Sequence, residues 1–131
     1  MYFGPEIIPV TLSTDSKVIA VATTAVVYTK SINLKRGEFF AIWYKATSDG
    51  TVNIKIEIEQ SYKLPTTEGA VDTDWVVPES MSAVIAALDD ENAHCESINP
   101  IAMPYLRLKI TGGVGNDAST TLAIEVGKIS S

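Results

Sequence analysis

Residues 51–60 read T-V-N-I-K-I-E-I-E-Q, with Val52, Ile54, Ile56 and Ile58 at one set of alternate positions and Asn53, Lys55, Glu57 and Glu59 at the other. Successive side chains leave a strand on opposite sides, so a period of two marks a β-strand with one dry face and one wet face. Asp49-Gly50 stands directly before this run. Asp-Gly is strong hairpin chemistry, because glycine tolerates the positive φ that a tight turn needs. The expectation is that residues 38–46 (E-F-F-A-I-W-Y-K-A) pair with residues 51–60 across Ser48, Asp49 and Gly50.

The same pattern recurs along the chain. Leu106, Leu108 and Ile110 alternate with Arg107, Lys109 and Thr111, and Leu122, Ile124 and Val126 mark an inward side in residues 120–129. Residues 17–22 and 25–34 are rich in β-branched side chains, which favour strands. Residues 94–98 and the short run Trp75-Val76-Val77, stopped by Pro78, add two more. Apolar residues occupy both sides of residues 39–44, as in a strand covered on both faces, one of them open to a subunit contact. Met81, Val84, Ile85 and Leu88 lie at helical spacing behind Ser80, an N-cap residue. Asp89-Asp90-Glu91 would oppose the macrodipole of such a helix, so a strand or an irregular crossing is the alternative. Residues 61–74 read as a long polar loop and residues 112–117 as a hairpin loop. The fold class expected is all-β, an antiparallel two-sheet sandwich, jelly-roll-like, with about eight strands and at most one short helix.

Residues 1–16, with Pro5 and Pro9, read as an extended N-terminal arm, and residues 17–131 as a single sandwich domain. A chain of 131 residues buries about two-thirds of its unfolded surface, enough for a core without metal or disulfide staples. A hydrophobic content of 46% leaves apolar surface over for a partner or for self-association. Tyr2, Phe3, Ile7 and Ile8 in the arm are the candidate contact residues, whether against their own domain or a neighbouring subunit.

The charge balance limits the partners. Ten Lys and Arg against sixteen Asp and Glu give a formal net charge of −6. The basic residues are scattered apart from Lys35-Arg36, whereas a nucleic-acid groove needs clustered cations. The same balance disfavours anionic membranes. A single cysteine, Cys95, cannot form an internal disulfide and fits a reducing compartment. No signal peptide is visible, and the nearly apolar stretch 18–28 is about half of what spans a bilayer, so a soluble protein is expected.

Chemistry-bearing residues are few. Residues 113–118 match G-x-G-x-x-A, but a strand-like run follows instead of the helix that holds a pyrophosphate. Asp89, Asp90, Glu91, His94, Cys95 and Glu96 form the one dense group of possible ligands. With one His and one Cys it is a poor transition-metal set, and it lacks the calcium-loop pattern. A solvated acidic turn is the favoured reading. Cys95 beside His94 lacks the surroundings of a catalytic thiol and reads as a small hydrophobic residue of the core. Glu57 and Glu59 could serve as a hydrolytic dyad only if they flank a cleft; as the wet side of a strand they are ordinary. Trp43, Tyr44, Trp75 and Tyr105 could build a sugar platform, although aromatics at strand spacing belong more often to core or interface. No catalytic residue, metal or cofactor is assigned, and an enzyme is not expected.

Pro104-Tyr105-Leu106-Arg107-Leu108-Lys109-Ile110-Thr111-Gly112, the Gly-Asn-Asp loop after it and Thr120-Thr121-Leu122 resemble the closing segment of small β-sandwich structural proteins of tailed-bacteriophage virions. Tyr44-Lys45-Ala46 and the run Ile56-Glu57-Ile58-Glu59-Gln60-Ser61 are similar to the same group. The resemblance implies a non-enzymatic capsid decoration or cement protein, assembled in the bacterial host cytoplasm and resident in the virion. It implies the major capsid protein as partner and a homo-oligomer, a trimer favoured. The alternatives are a tail or baseplate component or a carbohydrate-binding sandwich module and, more remotely, a hydrolase working through Glu57 and Glu59.

Overall fold

A computed structural model describes residues 6–8, 19–33, 39–62, 75–77, 84–98 and 105–129. The strands are β1 (Glu6–Ile8), β2 (Ile19–Ala20), β3 (Val26–Tyr28), β4 (Ile32–Asn33), β5 (Phe39–Thr47), β6 (Ile54–Ser61), β7 (Val84–Leu88), β8 (His94–Ile98), β9 (Tyr105–Gly112) and β10 (Thr121–Ile129). No described residue is helical. One sheet runs β1-β10-β5-β8, with β2 also on β10; the other runs β3-β9-β6-β7, with β4 also on β9. All pairings are antiparallel. Because β1 and β2 share one neighbour, and β3 and β4 another, ten short strands fill eight positions. Counted over these eight positions, every connection changes sheet except β6 to β7, which is the wiring of a jelly roll.

The alternation seen in the sequence lines the interior. Ile54, Ile56 and Ile58 face Leu106, Leu108 and Ile110 within one sheet, and Ile42, Tyr44, Ala46, Leu122, Ile124 and Val126 close on them from the other. Eight of these twelve residues have no accessible surface. A buried Leu or Ile contributes about 1.5–3 kcal/mol, so two interlocking rows specify the face of every long strand.

Two expectations are corrected and one open choice is decided. Residues 38–46 and 51–60 are not a hairpin: β5 pairs with β10 and β8, while β6 pairs with β9 and β7. The turn at Asp49-Gly50 carries the chain from one sheet to the other. Its polar groups are met by other loops, since the Asp49 N–H donates to Ser119 Oγ at 2.8 Å and the Thr51 N–H to the Gly115 carbonyl at 3.2 Å. Residues 112–117 likewise join β9 to β10 across the sandwich instead of closing a hairpin. Between the helix and the strand left open for residues 80–88, Val84–Leu88 takes the strand. Period two explains it as well as the helical spacing does, with Ala86 and Leu88 buried and Ala87 exposed. The register slips opposite Ile56 and Glu57, leaving Ile85 as the extra residue of a bulge. Ser80 and Met81 lie outside the described residues.

The N-terminal arm is in part a strand. Glu6, Ile7 and Ile8 pair with Lys128, Gly127 and Val126 at the edge of the first sheet. Tyr2 and Phe3 lie outside the described residues.

Candidate functional site

Four connections gather at one end of the sandwich: residues 21–25, 48–53, 89–93 and 113–120. Asn116 ties three of them. Its side-chain amide donates to the Val21 carbonyl at 2.9 Å and the Asn53 carbonyl at 2.8 Å, and its Oδ1 accepts from the Asn53 N–H at 2.7 Å. Thr23 Oγ1 donates to its carbonyl at 2.6 Å. Asn116 is 6% exposed, so these bonds satisfy groups that water cannot reach. Gly115 beside it has φ +103, and a Cβ there would run into Thr51 Oγ1. Asp117 folds the next turn onto itself: it accepts from the hydroxyl and N–H of Ser119, and these bonds, the hydroxyl first, hold its carboxyl below the ordinary range.

The fourth connection is fastened by two carboxylates. Glu91 Oε1 accepts from the Ser48 N–H at 2.8 Å. Asp90 Oδ1 accepts from the Asn92 N–H at 2.9 Å and pairs with His94 Nε2 at 2.8 Å. The His94 bond first, and then the Asn92 N–H, lower the Asp90 carboxyl below its usual value. His94 also stacks on Tyr44, ring centres 5.5 Å apart and 19° from parallel. The Tyr44 hydroxyl reaches Glu96 Oε1 at 3.4 Å. Burial, and then the Glu96 carboxylate, push this phenol above its ordinary pKa. The dense ligand group of the sequence is thus dispersed: Asp90 and His94 meet, Glu91 serves another loop, Glu96 serves Tyr44, and Cys95, expected in the core, is instead exposed on the opposite face from His94 because edge strand β8 turns that face outward. Among the described residues no three His, Cys, Asp or Glu side chains form a metal set.

The second constellation lies on the outer face of the β3-β9-β6-β7 sheet, and the sequence did not mark it. Arg107, read there as a wet residue, is 1% exposed. Its Nε donates to Glu59 Oε1 at 2.7 Å, and its guanidinium lies 4.0 Å from the Tyr28 ring centre and 4.7 Å from that of Trp75. Trp75 is brought there by Val76, whose N–H and C=O each bond Gln60 at 2.8 Å. The signal was non-local: Arg107 and Glu59 are register partners on strands 48 residues apart. Glu57 pairs with Lys55 at 3.4 Å. Each acid of the supposed dyad is therefore paired with its own cation, Glu57 with Lys55 and Glu59 with Arg107.

The aromatics do not form one platform. Tyr44 is core, Trp75 covers Arg107, and Tyr105 is half-buried at the end of β9. Trp43 alone of the four is open, on the outer face of the other sheet, 37% exposed between Glu125 and Cys95.

These features define an all-β jelly roll whose described polar side chains brace loops and strands. No model of a known protein family matches the chain, and no curated protein matches its sequence.

Proposed function

We propose that the chain is a non-enzymatic structural protein of a tailed-phage virion, a decoration or cement protein that binds the major capsid protein as an oligomer and braces the head. The observation that carries this reading is the jelly-roll wiring, a topology that recurs in viral capsid domains, joined to the resemblance of its strands to small virion sandwiches. The use of the candidate reactive groups agrees with it. His94, Asp90, Glu57, Glu59 and Arg107 are each paired with a neighbour in a bracing role. Such a protein works by burying area across the seams between capsomers, so that rupture under DNA pressure costs more.

The proposed capsid or inter-subunit contact is the N-terminal arm, with Tyr2, Phe3, Ile7 and Ile8. Since Glu6–Ile8 is the edge strand of a sheet, the arm emerges beside a fixed anchor.

Jelly rolls also host lectins, which keeps a sugar-binding module as the second reading. Of Trp43, Trp75 and Tyr105, the aromatics considered for such a platform, Trp43 is the open one. The test is the copy number of this protein in purified particles, by quantitative mass spectrometry against the major capsid protein. A ratio near parity is the expected result. A handful of copies per particle would move the protein to the tail, and absence from particles would remove the virion reading.

A further inference from the structure

Strand β8 closes one edge of its sheet, and among the described residues β5 is its one neighbour strand. It is also unlike the other long strands, because none of His94, Cys95, Glu96 and Ser97 is buried. The register gives each a place. His94 and Glu96 share the face of Tyr44 and Ile42, while Cys95 and Ser97 share the outer face with Trp43 and Ala41. So a cation-forming residue and an anion sit two apart on one face. A thiol lies between them on the other, next to the exposed indole of Trp43.

Charged edge strands commonly repel a second strand. Here the charges select one instead. Two antiparallel copies of β8 related by a twofold axis perpendicular to the sheet must be centred on a residue that faces itself. Centring on Glu96 sets two carboxylates opposite each other, and like charges directly opposed destabilise a pair; centring on His94 places each Glu96 opposite Asn92, beyond the end of the facing strand. Centring on Cys95 places His94 opposite Glu96 of the other copy, twice. It also places the two Cys95 side chains face to face and extends the outer row Glu125-Trp43-Cys95 into its symmetry copy.

We infer that β8 is the docking edge for a second copy of this chain, joined antiparallel about Cys95 into one continuous sheet through two molecules. The edge N–H and C=O groups supply the bonds, and the two His94–Glu96 pairs fix the register. This twofold contact differs from the threefold association that the virion resemblance implies, and it does not rest on the virion reading.

The test uses the full chain. Sedimentation equilibrium and native mass spectrometry over a concentration series should show a monomer–dimer equilibrium. Glu96→Gln keeps an acceptor for Tyr44 but removes the carboxylate from both cross-copy His94–Glu96 pairs, and should weaken the dimer about tenfold at low salt with an unchanged circular dichroism spectrum. Diamide, which takes up two protons and two electrons as two thiols become a disulfide, should trap the Cys95–Cys95 dimer. Directly opposed residues of antiparallel strands have Cα atoms about 4.5–5.5 Å apart, inside disulfide reach. In a Cys95→Ser background, Ser97→Cys should not cross-link, because Ser97 would face Ala93 of the other copy. A chain monomeric at every concentration, a trimeric mass, a dimer indifferent to Glu96→Gln, or cross-linking at position 97 equal to that at position 95 would each overturn the inference.

Discussion

Arg107 shows how much one side chain can carry on a face that is nominally wet. A guanidinium removed from water costs several kcal/mol unless it is paired, and here the Glu59 carboxylate and the ring faces of Tyr28 and Trp75 meet it. Removing one partner of a buried pair is worse than removing both, because the survivor keeps its desolvation cost. Arg107→Met should therefore destabilise the protein by about 3 kcal/mol. The double variant Arg107→Met with Glu59→Leu should recover most of that, since it replaces the pair by apolar groups beneath Trp75. Urea unfolding midpoints of the wild type, both single variants and the double variant measure this. A double variant as weak as Arg107→Met would mean that Arg107 contributes through Tyr28 and Trp75 and not through Glu59.

Among the elements, the connections at the Asn116 end are braced by carboxylates that the native fold holds in their ionised form. Asp117 is held by Ser119, and Asp90 by His94 and Asn92, and both carboxyls lie below their ordinary range. A group whose folded pKa is depressed adds stability above its unfolded pKa and loses it as pH falls through the folded one. The thermal midpoint should thus begin to drop below about pH 5 and fall further under pH 3.8, the unperturbed carboxyl value. In the variant with Asp90→Asn and Asp117→Asn this acid slope should flatten, while the midpoint at neutral pH drops toward its acid value. An unchanged slope would place the acid response in other carboxylates. These braces also explain what the sequence could reveal. The faces of residues 51–60, 106–110 and 122–126 were legible because period two is a local property. The partners were not legible. Asp49-Gly50 looks the same at a hairpin and at a sheet crossing, and what separates the two is whether Glu91, Ser119 and Gly115 arrive to meet its neighbours' N–H groups. Val84–Leu88 fits both a helical and a strand period, and the free edge of β6 decides between them. Asn116 and Arg107 went unnoticed for the same reason, since their bonding partners lie 48 to 95 residues away.

At the scale of the whole molecule, the wiring makes the last strand the one on which its sheet depends. β10 lies between β5 on one side and both β1 and β2 on the other, so without it β1 and β2 lose the strand they are bonded to and β5 keeps only β8 among the described strands. Leu122, Ile124 and Val126 would leave the core with it. The opposite sheet would then keep the inner face of Ile54, Ile56, Ile58, Leu106, Leu108 and Ile110 with half of its cover gone. Nearly every pairing also joins segments distant in sequence, and loop-closure entropy must be met before those contacts form. Two expectations follow from this one arrangement. A chain ending at Thr120 should stay unfolded, with a collapsed amide proton spectrum and no cooperative thermal transition. The full chain should refold from urea in a single phase on the scale of about a millisecond to seconds, as all-β domains of non-local topology do. Stopped-flow tryptophan fluorescence is suited to the measurement, because Trp75 becomes buried over Arg107 only when β3, β6 and β9 are assembled. If the truncated chain gave a dispersed spectrum, the first sheet would not need its central strand. The core rows would then have to be closing in pairs, β6 with β9 first, and the refolding trace of the full chain would show that step as a separate fast phase.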